Sequence, residues 1–96
     1  MNKTITEIKE KIVPILKDFK VTRAGIFGSY ARGEQRKSSD IDVLIEIDSE
    51  ASLFRIIELK ISLESKINKK FDLVEYSLIR KELKDRILSE EIPIIR

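Results

Sequence analysis

The 96-residue sequence contains no cysteine, no histidine and no tryptophan. Without cysteine there is no disulfide framework, no zinc–thiolate site and no thiol nucleophile. Without histidine the commonest general base is missing, and so are the imidazole ligands of zinc. Any metal therefore sits on oxygen, which favours magnesium, manganese or calcium. Aromatics are scarce as well: four Phe and two Tyr. That leaves little from which to build a stacking surface for single-stranded nucleic acid. No apolar run approaches the length of a membrane span, and the charged, Thr-bearing start lacks the apolar stretch of a secretory signal. The expectation is a cytoplasmic protein with no membrane association.

What is present is charge and aliphatic bulk. Charged residues make up 38% and hydrophobic residues 42%, with a net charge of +2. Opposite charges nearly cancel, so the whole-molecule balance gives no strong nucleic-acid signal. This length predicts one domain, residues 1–96, with a core supplied by a few well-patterned elements.

Ile5, Ile8, Ile12, Leu16 and Phe19 recur at helical spacing over residues 3–19, and Pro14 inside that pattern predicts a kink or a split. Val21 to Phe27 reads as a strand that breaks at Gly28-Ser29, with a short helical turn over residues 30–32. A polar loop follows from Gly33 to Ser39. Ile41 to Ile47 alternates strictly, with Ile41, Val43, Ile45 and Ile47 on one face and Asp42, Leu44 and Glu46 on the other. Asp48-Ser49 closes that strand. Residues 51–68 place Leu53, Ile56, Ile57, Leu63 and Ile67 along one side of a helix, with Asn68 as its stop. Phe71 to Tyr76 reads as a third strand. Ile79, Leu83, Ile87 and Leu88 mark a last helix ended near Pro93. The order predicts an α/β or α+β domain, a small mixed sheet of about three strands packed with helices.

Asp40-Ile41-Asp42 opens the central strand. Residues i and i+2 of a strand share a face, roughly 6.5–7 Å apart. Two ionised carboxylates at that separation repel, and a divalent cation converts the repulsion into binding. Taken alone, such a pair is more often a solvated strand entrance, here after the turn-forming Ser38-Ser39, than a metal clamp. Gly28-Ser29 ends the preceding strand where a helical turn begins. Such a turn receives phosphate on its free N–H groups, and glycine permits close approach. Alone, it is equally a strand-to-helix turn with a serine cap. Together the two place a phosphate turn at one strand's end and metal carboxylates on the next.

Gly28-Ser29, ten intervening residues and Asp40-Ile41-Asp42 resemble the signature of the DNA-polymerase-beta-like nucleotidyltransferase superfamily. The string GSYARGEQRKSSDIDVLIE is similar to that of its minimal nucleotidyltransferases, small proteins often paired with a HEPN-type toxin. The motif covers residues 28–42, and the element order extends the likeness across almost the whole chain. The resemblance implies a third carboxylate on a later strand; Asp72 fits it, with Glu75 as a competitor on the opposite face. Arg32 also matches the family pattern, either contacting phosphates or bracing the loop through a carboxylate.

By the same resemblance, two magnesium ions on Asp40, Asp42 and Asp72 serve the transfer, with ATP held at Gly28, Ser29 and Arg32. The implied activity is that of an antitoxin transferring AMP to a tyrosine of a partner HEPN toxin. The apolar surface of the terminal helices is the candidate dock. Two alternatives stand beside it: a non-catalytic antitoxin or binding module acting by occlusion, and nucleotidyl transfer to a small molecule or RNA.

Overall fold

A computed structural model describes residues 3–48, 50 and 52–96. Helix α1 (Lys3–Asp18) leads to strand β1 (Arg23–Phe27), the short helix α2 (Gly28–Arg32) and strand β2 (Ile41–Glu46). Helix α3 (Leu53–Ile67), strand β3 (Phe71–Glu75), a 3₁₀ turn (Tyr76–Leu78), helix α4 (Lys81–Glu90) and strand β4 (Ile92–Ile95) complete the order. The sheet runs β3-β2-β1-β4, with β1 antiparallel to both β2 and β4 and β2 parallel to β3. Among the described residues no helix is long and apolar enough to cross a membrane.

The apolar spacing of α1 buries Ile5, Ile8, Ile12 and Leu16. Pro14 does not split the helix as its presence predicts. It lies on the exposed side, where the carbonyl it leaves without a donor can face water, and the buried stripe carries the helix past it. Phe19 falls just beyond the helix end and is partly buried against the core.

Ile41, Val43 and Ile45 of β2, with Ala24 and Ile26 of β1, face this stripe and Leu59 and Leu63 of α3 in one continuous core. Sheet and helices thus form two layers, with α1 and α3 packed beside each other. Leu44 points the other way, yet it too is fully buried.

Two further readings from the sequence need correction. The first concerns which side of α3 is buried. Leu63 and Ile67 of the expected face do pack on the core, joined by Leu59, while Leu53 and Ile57 are exposed, so the buried face is rotated toward Leu59. Asn68 does stop the helix: it adopts the left-handed conformation and its N–H donates to the Glu64 carbonyl at 2.8 Å. The expected start of this helix at Ala51, and Ser49 at the preceding strand's close, lie outside the described residues.

The second correction is the strand count, four instead of about three. Pro93 reads as a terminator, but β4 is an edge strand, where a residue lacking an N–H costs no ladder bond on its open side.

Candidate functional site

The site lies at the end of the sheet where β1 finishes and β2 and β3 begin. Register places Phe27, Asp42 and Asp72 side by side across the three strands. Neighbouring strands are about 4.8 Å apart, so the carboxylates of Asp42 and Asp72 share a face on adjacent strands. Asp40 stands just before β2, two residues from Asp42. Glu75 pairs with Ile45, one residue out of phase with Asp72. Alternation therefore puts it on the other face.

Gly28 begins α2 with φ +73°, a conformation that side-chain-bearing residues rarely adopt. A Cβ there would collide with Oδ2 of Asp42. The phosphate turn and the carboxylate strand are thus in direct apposition, at a separation only glycine allows. Ser29 follows, and its carbonyl accepts from Glu34 N–H at 2.9 Å. Phe27 at the N-cap has no side-chain oxygen, which leaves first-turn N–H groups to water or an anion. Gly33 closes α2 in the left-handed conformation, φ 72°.

Asp42 is half-buried, and its pKa is pushed up to about 6. Burial is the first cause, followed by the charges of Asp72 and Asp40; the Arg32 guanidinium pulls the other way. Three carboxylates therefore crowd one place, with only a partial counter-charge.

Arg32 is engaged elsewhere as well. Its Nε donates to Glu34 at 3.1 Å, and its Nη1 donates to Glu90 of α4 at 3.2 Å. These partners, Glu34 first, raise its pKa. Of the two roles open to it from sequence, the carboxylate brace is the contact present. Glu90 lies 58 residues downstream of Arg32, and nothing in the sequence links the two.

Among the described residues, no three acidic side chains are gathered tightly enough to form a cage for a metal. Magnesium does not require one, because it takes one or two carboxylates and completes its shell with water and substrate phosphates. The all-oxygen donor set and the repulsion that Arg32 only partly relieves at Asp42 fit that ion.

Residues 10–96 match the polymerase beta nucleotidyltransferase family. The chain belongs to that family. This nucleotidyltransferase is 48% identical to a Methanocaldococcus jannaschii protein described as a candidate protein adenylyltransferase, over 95% of this chain and 98% of that one. It is 36% identical to the protein adenylyltransferase MntA of Thermococcus cleftensis, over 77% of this chain and 75% of the relative.

Among solved structures, one described as a candidate minimal nucleotidyltransferase superposes with a TM-score of 0.82 at 30% identity. That match covers 95% of this nucleotidyltransferase and 93% of the other chain. A toxin–antitoxin complex with AMP-PNP matches with a TM-score of 0.78 at 26% identity, over 90% of this chain and 71% of that one.

Proposed function

We propose that this nucleotidyltransferase, acting as one domain over residues 1–96, is an antitoxin that transfers AMP from ATP to a tyrosine of a HEPN-type toxin. The observation carrying the reading is the register of Asp42 beside Asp72, with Gly28 pressed against Asp42. The adenylyltransferase relatives and the toxin–antitoxin complex with an ATP analogue support it.

In this reading Gly28, Ser29 and the first-turn N–H groups hold the β- and γ-phosphates. Arg32 exchanges a carboxylate partner for a phosphate oxygen. Asp40, Asp42 and Asp72 would hold magnesium, two ions in the arrangement typical of such transferases. When bound, magnesium neutralises the triphosphate and lowers the pKa of the acceptor hydroxyl. Asp72, exposed at the sheet end, takes the hydroxyl proton as the tyrosine oxygen bonds to the α-phosphorus. The bond from that phosphorus to the bridging oxygen breaks, and pyrophosphate leaves. Positioning and charge complementarity supply most of the acceleration.

The test is incubation with α-labelled ATP, magnesium and the protein encoded beside this one. The expected outcome is label on the partner, reduced at least about a hundredfold by Asp42→Asn. An unlabelled partner, or undiminished label with the variant, overturns the reading.

A second reading, neutralisation by occlusion, draws on the exposed apolar residues Leu53, Phe54, Ile57 and Ile61 of α3. Among the described residues, four large exposed hydrophobic side chains lie on α3 and one, Leu83, on the terminal helix α4. Occlusion predicts that Asp40→Asn and Asp42→Asn leave the partner neutralised.

A further inference from the structure

Helix α4 is weakly held by its own sequence. It has ten residues, below the length at which an isolated helix persists in water, and no side chain caps its first turn. Lys81 to Arg86 are all exposed, none of its residues is fully buried, and Ile87, Leu88 and Glu90 are half-buried. An element with so little apolar contact belongs to the low-stability end of a fold, and its polar ties set where it rests.

Two such ties gather at its C-terminal end. Glu90 accepts from Arg32 Nη1 at 3.2 Å, joining α4 to the phosphate turn. Glu91, the next residue, accepts from the Tyr76 hydroxyl and lies against Gly25, where a Cβ would collide with it. Gly25 pairs with Leu44, which shares the Asp42 face of β2. The end of α4 therefore crosses the side of the sheet that carries the carboxylates.

The two carboxylate partners of Arg32 are not equivalent. Glu34 is bound into the same turn, since its N–H donates to the Ser29 carbonyl at 2.9 Å, and it stays beside Arg32 wherever α4 goes. Glu90 comes from a separate element and occupies Nη1, one of the two nitrogens of the guanidinium's end-on fork. A phosphate taking that fork meets Glu90 as a competitor in both position and charge. The guanidinium charge is felt at Asp42, which places the fork within reach of a triphosphate held there.

We propose that Glu90 is a placeholder for phosphate: it holds Arg32 until nucleotide binds, and nucleotide displaces it and releases α4. The inference rests on the proposed function only for placing the triphosphate at Arg32. Release loosens the helix that borders the carboxylate face once nucleotide is in place, so nucleotide binds before the acceptor. Coupling is reciprocal: a variant in which the tie is already broken binds nucleotide more tightly, by the factor with which the tie had opposed it.

The probe is AMP-PNP with magnesium, titrated calorimetrically into the free chain, with amide hydrogen exchange followed over residues 81–90 and over α3 as a reference. The expected result is exchange in α4 at least about twofold faster with the probe, and α3 unchanged. Glu90→Gln should bind the probe about two- to fivefold more tightly, the range set by one solvent-accessible ion pair. Its α4 should exchange fast with or without the probe. Glu34→Gln should keep the α4 response. Glu82→Gln, which removes the same charge from the first turn of α4, should leave affinity unchanged.

Slower or unchanged α4 exchange with the probe overturns the proposal, as does loss of the α4 response in Glu34→Gln. So does probe affinity in Glu90→Gln equal to or below that of the native chain, or equal tightening by Glu82→Gln. Neither measurement involves an acceptor. A chain that binds the probe and frees α4 but labels no partner keeps this latch and loses the enzymatic reading. A chain that labels its partner while α4 stays protected does the reverse.

Discussion

Ionising Asp42 means placing a negative charge in a half-buried position between two other carboxylates, and folding alone does not favour it. The raised pKa fixes the sign of the consequence. With the folded value near 6 against an ordinary 3.8, the native state binds the proton more tightly than the unfolded chain does. The corresponding stability is fully present below pH 3.8 and is lost as pH rises through about 6. Urea denaturation of the metal-free protein should therefore show a decline attributable to Asp42 between about pH 4 and pH 7. Asp42→Asn should remove that decline and raise stability at pH 7 by about 1 kcal/mol, discounted for the solvent that reaches the group. A variant that loses transfer while gaining stability marks a residue kept for chemistry and not for the fold.

The elements show how far a single sequence can be read. Strict alternation over Ile41 to Ile47 located β2 and set Asp42 opposite the core, because a one-residue slip would have exposed every isoleucine. The glycine–serine break and the Asp-x-Asp spacing were legible for the same reason: each needs only local geometry. The pairing of Asp72 with Asp42 was not, since two parallel strands joined through α3 can meet in several registers until the helix packs. Nor was β4, whose proline reads as a stop unless its place at the sheet edge is known. The ion pair from Arg32 to Glu90 joins residues with no local relation at all.

In α3, apolar residues on two sides of the helix made the choice of buried face ambiguous from spacing alone. The structure separates them in a measurable way. Leu59→Ala should cost about 2–5 kcal/mol by opening a cavity in the core. Ile57→Ala, on the exposed side, should stay within about 0.5 kcal/mol, as read by thermal or urea denaturation.

At the scale of the molecule, one surface remains to be used: the aliphatic stripe along α3. Leu53 and Phe54 are 72% and 78% exposed, which is unusual for side chains of that size grouped on one helix. Replacing Phe54 and Ile61 together by serine should leave the melting temperature of the free chain within a few degrees. It should weaken association with the partner by at least about tenfold in calorimetric titration. An unchanged affinity would assign partner binding to another surface.

The strand order also bears on how the chain is made. β4 pairs with β1, so a strand formed early in synthesis keeps one edge unsatisfied until the segment around Pro93 has been translated. By the end of that interval Asp40, Asp42 and Asp72 have all been synthesised, and β2 covers only the other side of β1. A nascent chain stalled before residue 92 therefore carries these three carboxylates together with an open strand edge, the kind of template on which unfinished polypeptides stick to one another.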